Sequence, residues 1–145
     1  NRNRKKLVML KSSPNPALVH GKRIVLCDDS VVRGTTISGI VERMRNAGSA
    51  QVHLRIMSPP WKFGCYWGID EKELENRLAK PEIPDERVCG MLLEQTGADS
   101  VAYISLDGLY KAIYGESRIK ACSQACDHCF TGESPTGLTD LHGMH

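Results

Sequence analysis

The sequence has no long apolar run, no excess of one charge and no internal repeat, and each absence removes a class of function. No stretch of its 145 residues is apolar enough over enough length to span a bilayer, and no leader pattern of basic residues, apolar core and small-residue cleavage site opens it. We therefore expect no membrane partner and a cytoplasmic location. Lys and Arg number 19 against 17 Asp and Glu, a net charge of +2, which argues for no nucleic-acid partner. The basic start (Arg2, Arg4, Lys5, Lys6) lacks the interleaved aromatics of a nucleic-acid surface and reads as a solvated end. The five histidines form no constellation: His53 falls on the polar side of a strand and His128 inside a cysteine pair. Low-complexity tracts are also missing, and the composition is that of an ordinary globular protein.

What is present is concentrated in one segment, Arg23-Ile24-Val25-Leu26-Cys27-Asp28-Asp29-Ser30-Val31-Val32-Arg33-Gly34-Thr35-Thr36. An apolar run, read as a buried strand, ends in two adjacent carboxylates. A loop follows, and then a helix begins with Ile37, Ile40, Val41 and Met44 on one face. A helix start offers unpaired N–H groups and the positive end of the macrodipole, which suit a phosphate. Ser30, Thr35 and Thr36 add hydroxyl donors, Arg33 adds charge, and Gly34 allows close backbone approach. Carboxylates only accept hydrogen bonds, so Asp28 and Asp29 suit sugar hydroxyls or a hard divalent cation. The plain alternative is a buried strand followed by a capped helix with no ligand.

Around this segment the pattern alternates strand and helix. Residues 7–11 read as an edge strand and residues 12–16 as a turn. Residues 23–28 are a strand, 35–47 a helix ended by Gly48, and 51–57 a strand with Val52, Leu54 and Ile56 on one side. Asp70 and Glu73 suggest a capped helix over 71–79 with Leu74 and Leu78 inward. A helix over 85–96 stops at Gly97, and 100–105 is a strand. Leu106, Leu109, Tyr110 and Ile113 make one face of a last short helix. The expected class is α/β, a parallel sheet flanked by helices. Three strands are few for such a sheet, and the chain begins at Asn1, so we expect a C-terminal piece of a longer protein. Residues 1–117 would be its domain part and 118–145 a cysteine-containing tail.

Six cysteines occur: Cys27, Cys65, Cys89, Cys122, Cys126 and Cys129. Without secretory signals, reduced thiols or metal ligands are expected over disulfides. Cys27 and Cys89 read as small packing residues. Cys126 and Cys129 form a CxxC pair, a spacing shared by zinc sites, redox dithiols, iron–sulfur sites and unconnected thiols. No second CxxC supports zinc, and no preceding strand supports a thioredoxin-like site. Cys122 with the pair gives the spacing of radical S-adenosylmethionine enzymes, but near the C-terminus; it reads as a spare thiol or a substitute ligand. Trp61, Tyr66 and Trp67 near Cys65 could shield a cluster or simply pack.

The 23–36 segment resembles the phosphoribosyl pyrophosphate (PRPP) motif of type I phosphoribosyltransferases. Arg55-Ile56-Met57-Ser58-Pro59-Pro60, Cys65-Tyr66-Trp67-Gly68-Ile69-Asp70, residues 97–109 and Cys129-Phe130-Thr131-Gly132 extend the likeness. In this order they resemble the C-terminal part of the glutamine phosphoribosylpyrophosphate amidotransferase family (amidophosphoribosyltransferases), over roughly residues 7–135. The resemblance implies a type I phosphoribosyltransferase-like fold and transfer of glutamine-derived ammonia to C1 of PRPP, the first step of purine synthesis. It implies that Asp28 and Asp29 hold the ribose hydroxyls and lie near Mg²⁺, and that Ser30, Val31, Val32, Arg33, Gly34, Thr35 and Thr36 wrap the 5′-phosphate. We expect substitution of Gly34 to affect binding more than folding. In the family's iron–sulfur branch, Cys65, Cys126 and Cys129 correspond to ligands of a [4Fe-4S] cluster, with the fourth ligand upstream. An upstream glutaminase domain, a homo-oligomer and an inactive isolated fragment are also implied. A PRPP-sensing regulatory protein is the alternative function.

Overall fold

The computed structural model describes residues 14–65, 76–121 and 125–133. The elements are α1 (Pro16–Val19), β1 (Arg23–Asp28), α2 (Thr35–Asn46), β2 (Gln51–Ile56), α3 (Asp85–Thr96), β3 (Ser100–Tyr103), α4 (Leu106–Tyr114), α5 (Arg118–Ala121) and α6 (His128–Thr131). β1, β2 and β3 lie side by side in that order and run parallel. Each parallel step needs a crossover, and α2 and α3 supply them, the arrangement expected from alternating strand and helix patterns.

Strand alternation decides what is covered. Ile24, Leu26 and Asp28 are in register with Val52, Leu54 and Ile56, and the last two with Val101 and Tyr103. Val52, Leu54 and Ile56 are buried there with Ile37 and Val41 of α2 and Leu92 of α3. This is the core. Arg23, Val25 and Cys27 stand on the opposite face of β1, where they are exposed, Val25 at 59%. The expectation of a fully buried strand with Cys27 as a packing residue is therefore corrected. β1 is one of the two edge strands of the sheet among the described residues, with β3 at the other edge.

The local signals hold best where caps reinforce periodicity. α3 begins after Pro84, carries Asp85 and Glu86 in its first turn, and ends at Gly97. β2 shows the expected alternation in full. Elsewhere the structure departs from the sequence pattern. Residues 14–16 are not simply a turn: the Asn15 side chain accepts a hydrogen bond from Ala17 N–H at 3.0 Å and Pro16 opens α1. Residues 77–79 are not helical; the Leu78 N–H instead donates to the Val32 carbonyl at 2.8 Å. Asp70, Glu73 and Leu74 lie outside the described residues, as do the expected strand at 7–11, the basic start, Tyr66, Trp67 and Cys122. In α4 Tyr110 is buried, but Ile113, expected on the same inward face, is 62% exposed. α5 and α6 had no periodic signal because each is a single turn held by tertiary contacts.

Candidate functional site: an acidic pair and a sugar-phosphate loop

Asp28 is the last residue of β1 and Asp29 the first of the loop, at the carboxyl end of a parallel strand, where α/β sheets place their ligands. The Asp28 Oδ1 atom accepts from the Asp29 N–H at 3.1 Å, and the Ser30 hydroxyl lies 3.2 Å from Asp29 Oδ1. Burial pushes the Asp28 carboxyl up from its ordinary range; the Asp29 N–H opposes this and the neighbouring Asp29 charge adds to it. Asp29 itself is exposed.

The loop divides its labour. Val31 is buried in the core, so its side chain anchors the loop. Ser30, Thr35 and Thr36 are exposed and present their hydroxyls. Three consecutive carbonyls are held by identified donors. Val32 O accepts from Leu78 N–H at 2.8 Å, and Arg33 O from Gln95 Nε2 at 2.8 Å. Gly34 O accepts from the Ser38 N–H at 3.0 Å and from the Ser38 hydroxyl at 2.8 Å. A trans peptide points its N–H opposite to its C=O. The N–H groups of Arg33, Gly34 and Thr35 are thus turned away from those donors, and those of the first α2 turn have no intrahelical acceptor. This backbone can receive an anion.

Gly34 serves the loop twice over. Its φ is +76°, and a Cβ built there would lie 2.9 Å from Leu92 Cδ1 and 2.9 Å from both Gln95 amide atoms. Leu92 belongs to the core, so substitution at Gly34 also carries a folding cost. Gly34→Ala should lower stability by about 1–2 kcal/mol from the left-handed backbone alone, with the Leu92 contact adding to it. Urea denaturation checks this, and an unchanged midpoint would contradict the geometry.

The cysteine segments meet through backbone. The N–H groups of Lys62 and Phe63 both donate to Cys129 O at 2.9 Å. The Phe63 ring lies 6.1 Å from that of the buried His128, and a Cβ on Gly132 would come 2.8 Å from Phe63. The stretch leading to Cys65 is thus docked on the turn that carries Cys129, although the two are remote in sequence. Cys126 is exposed, and none of Cys27, Cys65, Cys89, Cys126 and Cys129 is in a disulfide. The donors suit an iron–sulfur cluster in kind, but among the described residues no three His, Cys, Asp or Glu side chains are grouped to hold a metal.

Asp127, between the two cysteines, is a buried hub. It accepts from Arg118 Nε at 2.6 Å, from the Tyr110 hydroxyl at 3.0 Å and from the Thr131 hydroxyl at 3.2 Å. Burial pushes its carboxyl up, yet Arg118, Tyr110 and Thr131 together outweigh this and hold it below the ordinary range. Arg118 also pairs with Glu133, and its N–H donates to Asp107 at 3.0 Å. Sequence reading missed Gln95, Arg118 and Asp127; it placed Leu78 inward, and Leu78 does pack against the core, but its backbone bond to Val32 was not foreseen. Each acts across the fold, and none carried a local signal beyond being polar or apolar at its position.

The parallel sheet, the crossover helices and the acidic loop after β1 define the type I phosphoribosyltransferase class of α/β fold. Solved structures narrow this. The glutamine phosphoribosylpyrophosphate amidotransferase of B. subtilis, complexed with ADP and GMP, matches with a TM-score of 0.67 and 36% identity over 85% of this chain and 26% of that one. A structure described as the allosteric regulatory enzyme of purine biosynthesis matches with a TM-score of 0.62 and 34% identity, over 83% of this chain and 24% of that one. Amidophosphoribosyltransferases of Rhizobium etli and Drosophila melanogaster are 45% and 44% identical over 94% and 84% of this chain. That of Bacillus subtilis is 39% identical over 90%. Over most of its length, therefore, the chain is homologous to amidophosphoribosyltransferases. It spans about a quarter of the length of the relatives it matches. No family model matches the sequence. Among the described residues no helix is long and apolar enough to cross a membrane.

Proposed function

We propose that this chain forms the PRPP-binding part of an amidophosphoribosyltransferase, in which ammonia released from glutamine attacks C1 of PRPP, pyrophosphate leaves and 5-phosphoribosylamine forms. The supporting observation is the 31–36 loop, whose successive carbonyls are held away from one side, in a chain 39–45% identical to enzymes of that name. The loop would hold the 5′-phosphate on the N–H groups of residues 33–36, with Ser30, Thr35 and Thr36 hydroxyls beside it. Asp28 and Asp29 would accept from the ribose hydroxyls. Both act by orientation, fixing C1 relative to the attacking nitrogen, and neither needs to move a proton. Mg²⁺, when bound beside the acidic pair, would neutralise the departing pyrophosphate. Titration of ribose 5-phosphate, and of PRPP with Mg²⁺, tests the reading calorimetrically: saturable binding supports it, and no heat with either ligand overturns it.

The chain spans about a quarter of its relatives' length, and we infer that it works within a longer polypeptide whose glutaminase domain supplies the ammonia, as a homo-oligomer in the cytoplasm. We further assign Cys65, Cys126 and Cys129 to a [4Fe-4S] cluster, supported by the docking of residues 62–63 on Cys129. Bound there, a cluster would tie the two segments covalently through thiolates. Anaerobic reconstitution with iron and sulfide should give broad visible absorbance in the wild-type protein and little in Cys126→Ser. Equal absorbance from both would remove Cys126 from the ligand set.

A further inference from the structure

Three successive loop carbonyls, those of Val32, Arg33 and Gly34, are held on one side, and their locks differ in kind. Val32 O is held by the backbone of Leu78, and Gly34 O by Ser38 within the first turn of α2. The identified donor to Arg33 O is a side chain from another helix, Gln95 of α3, at 2.8 Å. A carbonyl oxygen only accepts, so the nitrogen of the Gln95 amide must face it. Gln95 is exposed and stands outside the buried core, so water could satisfy its amide at no loss to folding.

The peptide it holds is the one most able to turn over. It joins Arg33 to Gly34, and a glycine at φ +76° can take either sign of φ with little steric cost. A flip of that peptide would present the Arg33 carbonyl where the Gly34 N–H stands, replacing a donor to the phosphate by an acceptor that repels it. The absence of a Cβ at Gly34 is what lets the Gln95 amide lie against this peptide. We propose that Gln95 is a positioning residue for the sugar-phosphate loop: its side-chain amide holds the Arg33 carbonyl and keeps the Gly34 N–H directed at the 5′-phosphate. This rests on the phosphate-loop reading above and adds a residue from outside the loop to it.

Calorimetric titration of ribose 5-phosphate tests it, with wild type, Gln95→Met, Gln95→Lys and the double variant Gln95→Met/Glu94→Lys. Methionine keeps length without a donor, and lysine restores a donor. The exposed position 94 carries a charge nearby that cannot reach Arg33 O in the same way. Gln95→Met should bind about tenfold more weakly, the scale of one lost hydrogen bond, at an unchanged melting temperature. Gln95→Lys should recover most of the affinity and the double variant should not. The Gly34 amide resonance should move in ligand-free Gln95→Met and return in Gln95→Lys. If wild type binds and Gln95→Met binds equally well, the role of Gln95 falls while the phosphate loop stands. If affinity and melting temperature fall together without rescue by lysine, Gln95 is only structural and the proposal fails. If wild type does not bind, the phosphate-loop reading itself falls and this inference with it.

Discussion

Asp28→Asn and Asp29→Asn should each slow phosphoribosyl transfer from PRPP to free ammonia by roughly 30- to 150-fold, the equivalent of about 2–3 kcal/mol for a lost charge-assisted hydrogen bond, in an enzyme that carries this segment. Free ammonia is the right donor because it bypasses glutamine hydrolysis, which should survive both changes. The two variants should part company in stability. Burial raises the Asp28 carboxyl above its ordinary value, so the folded state binds this proton more tightly than the unfolded chain does. The resulting penalty is absent below the unfolded pKa, grows as pH rises through the folded one and is complete above it. Asp28→Asn removes the penalty while its amide oxygen still accepts from Asp29 N–H. It should therefore melt at or above the wild-type temperature near neutral pH, and that advantage should vanish on acidification below the ordinary carboxylate range. Wild-type ligand affinity, which needs the ionised acceptor, should begin to fall at a higher pH than an unperturbed aspartate would give. Wild-type transfer rates in both variants would remove the acidic pair from the mechanism.

Arg118→Met should destabilise the protein by on the order of 2–4 kcal/mol, at or below the usual range for breaking a buried pair because Arg118 retains some exposure. Its side chain is 27% exposed against 10% for Asp127. The loss comes from stranding Asp127 with only the Tyr110 and Thr131 hydroxyls. In wild type the Asp127 carboxyl is held low, so its contribution is present above the unfolded pKa and is lost as pH falls through the lowered folded value. In Arg118→Met the carboxyl should rise instead, and the deficit should shrink on acidification. Asp127→Asn/Arg118→Met should recover part of it at neutral pH. Urea midpoints across pH measure these differences. Hydrogen exchange should show residues 127–132 opening first, since Asp127 joins α6 to Tyr110 of α4. A double variant no more stable than Arg118→Met would show that the stranded charge is not the cause.

The elements that could be read along the chain are those whose information is local. α3 was legible because a proline, two acidic residues and a glycine bracket an apolar period. β2 was legible because its alternation is strict. The acidic loop was legible because a strand end, two carboxylates and a Gly-Thr-Thr helix start are contiguous. Which contacts cross the chain became visible only in the folded molecule. Folding exposed Cys27 and Val25, because strand periodicity marks two faces but not which of them a helix will cover. It turned Ile113 outward for the same reason. It brought Gln95 to Arg33 and Arg118 to Asp127 across spans that no period or cap encodes. It also made Gly34 a residue of the core as well as the loop, since its closeness to Leu92 depends on how α2 and α3 pack. Caps and periods are short-range steric and hydrogen-bonding preferences and can be read along the chain. Close packing is a property of surfaces that meet only once the chain has folded.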